Sequence, residues 1–273
     1  MHSLAEKYLR KSSLPTLFCP GCGHGTVLNC FIRAIDDLGI IDGLGLVSGI
    51  GCSSWVPVFV NTDVLHTLHG RAIAVATGLK LANPRLHVVV FTGDGDCLGI
   101  GGNHFMHAAR RNIDMTVLML DNYIYGMTGG QVAPTTPLGL STVTTPFGNA
   151  ENPFDICRLV EGAGASFIAR WTTYQPRQIV KTMKKAIQKK GFAFVEVVSQ
   201  CPVEFGRKTG MGNSVQMMEH YKQNSVTIAK AKTLSAEELL GKIVVGEFVD
   251  IDKPELIETM AKVRAKAMAS SGK

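Results

Sequence analysis

Two apolar patterns alternate along most of the chain. Short unbroken runs at 44–47, 87–91, 116–120 and 192–198 have the length and branched side chains of strands buried on both faces. Between them lie stretches with apolar residues three and four positions apart, the spacing of a helix face. In 26–38 that face is Val27, Leu28, Phe31, Ile32, Ile35 and Leu38. Further helices are predicted at 72–81, stopped by Asn83-Pro84, at 103–111, within 154–165 and at 175–190. A short strand is predicted at 166–169. Strand and helix in alternation predict an α/β fold: a doubly wound, mostly parallel sheet with helices on both faces.

The alternation fails in three places. Residues 1–18 are polar with short apolar patches and read as an N-terminal arm. Residues 123–150 have no period and are rich in Thr, Pro and Gly. A loop that long in a compact domain is usually functional or disordered, and its place directly after a strand favours a cover over a site. Residues 206–273 offer one edge strand or hairpin near 242–248 and a terminal helix at 254–268. They read as a C-terminal arm that packs on a partner subunit. The expected division is therefore 1–18, 19–205 and 206–273.

The polar residues that interrupt the central runs carry the first chemical signal. Run 87–91 ends in Thr92-Gly93-Asp94-Gly95-Asp96, a helix follows, and run 116–120 ends in Asp121-Asn122-Tyr123. This is one βαβ unit with oxygen-bearing side chains at the carboxyl ends of its strands, where ligands bind in open α/β sheets. Asp94 offers Mg²⁺ a charged oxygen, Asn122 a neutral one, and the Ile124 carbonyl a third. Gly93 and Gly95 allow phosphates close to the backbone. Gly-Asp-Gly with an Asn about thirty residues later resembles the motif that holds thiamine diphosphate through Mg²⁺.

Composition narrows the field. The chain has 273 residues, 45% of them hydrophobic, enough for one α/β domain and an extension. The net charge of +6 gathers around 181–190 and 222–232 without interleaved aromatics, so no nucleic-acid surface is expected. No apolar run reaches membrane-spanning length and residues 1–15 lack a signal-peptide core, which predicts a cytoplasmic protein without a membrane partner. In that compartment seven cysteines are metal ligands, catalytic thiols or buried small residues before they are disulfides.

Cys19, Cys22, Cys52 and Cys201 lie in loops or at strand ends beside Gly or Pro; Cys30, Cys97 and Cys157 have apolar neighbours and read as core. One Cys-x-x-Cys pair and two distant cysteines suit a four-thiolate site, either zinc or a [4Fe–4S] cluster. The single, scattered third and fourth ligands lean toward the cluster. A redox-active Cys-x-x-Cys is a third option, outside its usual strand-to-helix setting.

Taken together, Cys-Pro-Gly-Cys-Gly-His (19–24), Gly-Ile-Gly-Cys-Ser-Ser (49–54), Leu-His-Thr-Leu-His-Gly-Arg (65–71), Thr-Gly-Asp-Gly-Asp (92–96) and Asp-Asn-Tyr-Ile-Tyr-Gly-Met-Thr-Gly-Gly-Gln (121–131) resemble the β subunits of 2-oxoacid:ferredoxin oxidoreductases. The likeness is greatest to the 2-oxoglutarate type (2-oxoglutarate synthase) and covers about 15–205. It implies a thiamine diphosphate-binding fold and CoA-dependent oxidative decarboxylation of a 2-oxoacid to an acyl-CoA and CO₂, in a reversible reaction with ferredoxin. It further implies an obligate α subunit that carries the coenzyme-activating glutamate, and allows small γ and δ subunits.

Carried over by residue, Asp94, Asn122 and Ile124 bind Mg²⁺. Gly95, Asp96, Gly126 and Met127 line the coenzyme. Ile50, Gly51, Cys52, Ser53, His69 and Gly70 form the floor near its reactive carbon. Cys19, Cys22, Cys52 and Cys201 hold one [4Fe–4S] cluster. His66, His69 and Arg71 are candidates for phosphate, substrate carboxylate or carbonyl oxyanion, with His69 and Arg71 the catalytic choices. One position departs. Some family members carry Lys where Trp55 stands, to meet a distal carboxylate, which keeps pruvate-like or branched-chain 2-oxoacids open beside 2-oxoglutarate. A non-redox thiamine-dependent decarboxylase and a zinc-stabilised scaffold subunit are the competing readings.

Overall fold

The computed structural model describes residues 2–271; residue 1 of the N-terminal arm and residues 272–273 of the extension lie outside the described residues. Helices α1 (Ser3–Tyr8), α2 (Gly23–Leu38), α3 (Trp55–Phe59), α4 (Ala72–Ala82), α5 (Gly102–Arg110), α6 (Ile156–Ala163) and α7 (Pro176–Gln188) alternate with strands. The strands are β1 (Leu44–Ser48), β2 (Val64–His66), β3 (His87–Gly93), β4 (Met115–Asp121), β5 (Ile124–Tyr125), β6 (Gln131–Val132), β7 (Phe167–Thr172) and β8 (Phe192–Val198). Beyond them come α8 (Arg207–Thr209), α9 (Ser214–Asn224), β9 (Ser225–Thr227), α10 (Ile228–Ala231), β10 (Ile243–Asp250) and α11 (Leu256–Ser271). Eight strands form one sheet in the order β2-β1-β3-β4-β8-β7-β10-β9, parallel except where β10 meets β7.

Alternation within the strands builds two cores. Val89 and Phe91 face one layer with Phe31 and Ile35 of α2 and Ile179 and Met183 of α7. Val88 and Val90 face the other with Ile73 of α4, Phe105 of α5 and Val160 of α6. The Phe31 and Phe91 rings meet edge to face at 4.9 Å. Burying each aromatic ring contributes about 1.5–3 kcal/mol. The helices stop where chemistry dictates. Gly39 takes the left-handed conformation at φ 65° and caps α2 through the Ile35 carbonyl, and Pro176 opens α7 without needing an N–H partner.

Three departures from the sequence pattern have physical causes. The N-terminal arm is docked: the Tyr8 hydroxyl and Lys7 Nζ both donate to Asp36 of α2, at 2.7 and 2.8 Å, and Tyr8 is buried. One six-residue helix is too short to show a period. The C-terminal stretch extends the main sheet by two strands, one of them antiparallel and broken by a bulge between Glu247 and Val249. Within 123–150, β5 and β6 pair as a two-residue hairpin, too short to register as alternation.

At the amino-terminal ends of the central strands, Lys80 is 4% exposed, donates to the Leu86 carbonyl at 2.8 Å and pairs with Asp114 at 2.7 Å. Removing one partner of a buried pair leaves a charge uncompensated. Asp114→Ala is expected to cost about 3 kcal/mol, seen as a fall in Tm on the order of 5–10 °C when the subunit's unfolding is followed by circular dichroism. Among the described residues no helix is long and apolar enough to cross a membrane.

Candidate functional site

β1, β3, β4 and β8 are consecutive parallel neighbours, so their carboxyl ends leave the sheet along one edge. A cleft of about 180 Å³ opens there. Thirteen of the expected site residues line it: Ile50, Gly51, Cys52, Ser53, His69, Gly93, Asp94, Gly95, Asp96, Asn122, Ile124, Gly126 and Met127. Complete small-molecule sites usually enclose about 300–1,000 Å³. The smaller volume is that of one wall of a site. Arg71 does not line the cleft. It caps α4, and its guanidinium lies 3.2 Å from His104 Nε2. His66 is also outside, on β2, hydrogen-bonded to Ser48 at 3.0 Å. Trp55 opens α3 and packs against the core instead of entering the cleft.

The strand ends hold two buried carboxyls. Asp94 and Asp121 flank the Thr135 hydroxyl, at 2.5 and 2.9 Å. Burial pushes Asp94 up to about 6, and it raises Asp121 well above the carboxylate range with help from the Asp94 charge. A divalent cation at this edge would remove that penalty by supplying the counter-charge. Just beyond, Tyr123 is held in the left-handed region at φ 63°, unusual for a bulky residue. Its N–H donates to Asp121 Oδ1 at 3.0 Å, and its carbonyl accepts from Thr136 at 2.6 Å. This twist falls between Asn122 and Ile124, both of which line the cleft. The donor set is a carboxylate, an amide oxygen and a backbone carbonyl, the hard-oxygen chemistry that Mg²⁺ prefers.

Gly95 is required by a close approach. A Cβ there would meet the Tyr125 ring at 2.2 Å, and the Tyr125 hydroxyl donates to the Gly95 carbonyl at 3.1 Å. Asp96, expected as a coenzyme contact, has its carboxylate engaged by the protein. It accepts from Ile50 N–H (3.2 Å), Gly70 N–H (2.7 Å), His69 Nδ1 (2.6 Å) and Thr92 Oγ1 (2.8 Å). One side chain therefore ties three loops together. Gly70 belongs to this network without lining the cleft.

The cysteines divide as their surroundings suggest. Cys30, Cys97 and Cys157 are buried in the two cores. Cys19, Cys22, Cys52 and Cys201 are neighbours: Cys19 lies close enough to raise the ionisation cost of the other three, and Cys201 that of Cys22 and Cys52. A Cβ on Gly126 would stand 3.6 Å from Cys201 Sγ and 3.8 Å from Cys52 Sγ. Burial pushes the Cys22 thiol up to about 12 and Cys52 to about 11, and raises Cys201. Cys22, Cys52 and Cys201 are therefore not self-activating thiols, and a bound metal would supply the charge that deprotonates them.

The sulfurs are prepared for it. Backbone amides lie close to two of the sulfurs and would favour their charged forms, that of His24 at Cys22 and those of Glu204, Phe205 and Val203 at Cys201. Amide donors aimed at sulfur stabilise thiolate charge and tune iron–sulfur centres. Among the described residues, no three His, Cys, Asp or Glu side chains converge closely enough to hold a single ion. A zinc site with bonds of about 2.3 Å brings its sulfurs to about 3.8 Å of one another. A cube of iron and sulfide spreads its four ligands wider.

Four lining residues, His24, Leu120, Tyr125 and Thr128, were not among the expected site residues. His24 is 1% exposed, shares a 3.0 Å hydrogen bond with Ser199 Oγ, and is kept neutral by burial, which lowers it to about 4. Its signal was its place inside Cys-Pro-Gly-Cys-Gly-His. Tyr125 had none beyond lying in the segment after Asn122. Thr135, behind the cleft wall, likewise came from the unpatterned stretch.

Comparison with known proteins gives a consistent result. The sequence signature of the family described as "Thiamine pyrophosphate enzyme, C-terminal TPP binding domain" matches residues 49–197. The chain is 56% identical over 263 residues to 2-oxoglutarate synthase subunit KorB of Methanocaldococcus jannaschii, covering 96% of this chain and 97% of that one. It is 45% identical over 186 residues to 2-oxoacid:ferredoxin oxidoreductase 2, subunit beta, of Aeropyrum pernix, covering 68% and 60%. Among solved structures, 2-oxoglutarate:ferredoxin oxidoreductase from Magnetococcus marinus, with 2-oxoglutarate, coenzyme A and succinyl-CoA bound, superposes with a TM-score of 0.85. There the identity is 38%, over 96% of this chain and 90% of the other.

Proposed function

The chain belongs to the thiamine pyrophosphate enzymes, as a β subunit of the 2-oxoacid:ferredoxin oxidoreductases, and from that premise we propose that, with its α subunit, it converts 2-oxoglutarate and CoA to succinyl-CoA and CO₂. The two electrons released pass singly through one [4Fe–4S] cluster to ferredoxin, and the reaction is reversible. Thiamine diphosphate supplies the electron sink that lets a 2-oxoacid lose carbon dioxide. The rest falls to this chain. Asp94, Asn122 and the Ile124 carbonyl hold the Mg²⁺ that anchors the diphosphate. Gly93, Gly95, Gly126 and Met127 leave room for the coenzyme, with Ile50, Gly51 and Ser53 beneath it. Cys19, Cys22, Cys52 and Cys201 hold the cluster. Residues 206–273 pack on a partner chain, with small γ and δ subunits as further candidates.

The observation that carries this reading is the meeting of two donor sets on one sheet edge: hard oxygens at Asp94 and Asn122, and thiols at Cys52 and Cys201, flanking Gly126. A scaffold subunit needs neither, and a non-redox decarboxylase has no use for the second. One observation favours a second substrate reading. Among the described residues lining the cleft there is no Lys or Arg, and Trp55, half-buried, packs against the core. Pyruvate or a branched-chain 2-oxoacid fits such a wall unless the α subunit supplies the missing charge.

The test is co-expression with the α subunit and anaerobic purification, then CoA-dependent dye reduction with a panel of 2-oxoacids. We expect a brown complex with about four iron and four sulfide per β chain, active best on 2-oxoglutarate. Stoichiometric zinc without iron would sink the cluster assignment. CO₂ release with no dye reduced would select the non-redox reading.

A further inference from the structure

We propose that Asp96 is a positioning residue that holds His69 so that His69 Nε2 exchanges a proton with the keto oxygen of the 2-oxoacid. This deepens the functional reading above and rests on it. Among the described residues lining the cleft, only His24 and His69 carry a basic side chain. His24 is sealed in the wall, its Nδ1 committed to Ser199. The His69 side chain is 35% exposed and faces the cleft beside the Tyr125 ring.

The hydrogen-bond pattern settles which nitrogen is available. Asp96 Oδ1 takes two obligate donors, the amides of Ile50 and Gly70, besides His69 Nδ1. An oxygen that accepts from two N–H groups carries no proton of its own, so the proton between Asp96 and His69 resides on Nδ1. Nε2 is then the free position, protonated in the imidazolium and bare in the neutral ring. The carboxylate cannot swing away, because Thr92 holds its other oxygen at 2.8 Å. Its rigid anchorage fixes the ring's direction.

The proton balance is simple. Thiamine diphosphate, when bound, would supply the carbon nucleophile for the keto carbon; the displaced C=O π pair would pass to oxygen, and His69 Nε2 would give its proton there. His69 is left neutral with Nδ1–H still on Asp96, whose charge does not change. The reverse direction returns the proton to Nε2. Arg71, turned toward His104 outside the cleft, takes no part.

The test uses the α/β holoenzyme and the variants Asp96→Asn, His69→Gln and the double change. Asn offers the same acceptor oxygen without the charge. Three readouts are taken: thiamine diphosphate affinity by calorimetry, the cluster signal by electron paramagnetic resonance, and the pH profile of kcat for dye reduction. Affinity and cluster signal are expected to stay within about twofold. kcat should fall about 100-fold or more in His69→Gln, within the usual range for losing an acid–base group, and about tenfold in Asp96→Asn.

The alkaline limb of the wild-type profile should change in Asp96→Asn and be lost in His69→Gln. The double variant should be no slower than His69→Gln, since the two residues act as a unit. Losses that multiply in the double variant, or an unmoved alkaline limb, overturn the proposal. So does a defect confined to coenzyme affinity, which would make Asp96 a loop tie only. If Asp96→Asn does not assemble, His69→Gln decides: a wild-type profile overturns the proposal, and loss of the limb supports it. A wild-type holoenzyme that binds no thiamine diphosphate overturns the functional reading itself, a result separate from all of these.

Discussion

Cys201→Ala is expected to yield a complex without brown colour and without dye reduction, while thiamine diphosphate still binds. The amides of Glu204, Phe205 and Val203 lie near the Cys201 sulfur and would favour its charged form, and the residue is 8% exposed. Alanine fits the same space, so the fold survives and only the ligand is lost. Changes one shell further out from a metal cost about 10–100-fold in affinity or activity. Removing the ligand itself should cost electron delivery at least about 100-fold, and iron should fall well below four per chain on anaerobic analysis. A variant that keeps full iron and full activity would remove Cys201 from the ligand set. The same substitution at Cys30, buried in the core, should leave iron content unchanged.

Asp94→Asn is the second large effect, and its two consequences have opposite signs. Mg²⁺-dependent affinity for thiamine diphosphate should fall at least about 100-fold, because the one charged oxygen of the donor set is gone. Stability without the cation should not fall. Burial holds the folded Asp94 carboxyl at about 6, above its ordinary 3.8. The stabilising, protonated form is fully present below about 3.8 and is lost as pH rises through about 6. At neutral pH the cation-free protein therefore bears a buried charge that asparagine lacks. Thermal unfolding at pH 7 without Mg²⁺ should show Asp94→Asn at or above the wild-type Tm, while calorimetry shows the lost affinity. A variant less stable than wild type without Mg²⁺, yet normal in coenzyme binding, would make Asp94 a structural residue. The pattern expected is a site held in a costly state for function.

Much of this edge was legible because strands announce their own ends. Val88 to Phe91 and Val117 to Leu120 are apolar on both faces, so the acids and amides that follow them, Asp94 and Asp121-Asn122, had to lie at strand ends. Parallel pairing then put those ends side by side. Cys201 was legible for the same reason, as the cysteine following the strand that pairs with β4.

What stayed hidden depends on contacts that no local period records. Thr135 reaches Asp94 across 41 residues, and His24 reaches Ser199 across 175. The role of Asp96 was hidden differently. As a pattern it is one more acid in a Gly-Asp-Gly-Asp turn, and only the four donors around it reveal that its charge is spent within the protein. The short elements α1, β2 and β9 were invisible because three to six residues cannot display a repeat.

Gly126 gives the arrangement its reach. A side-chain carbon there would stand 3.6 Å from Cys201 Sγ and 3.8 Å from Cys52 Sγ, ordinary contact distances. The same residue lines the cleft beside Met127 and close to Asn122, so the oxygen-bearing wall and two of the thiols share one short piece of main chain.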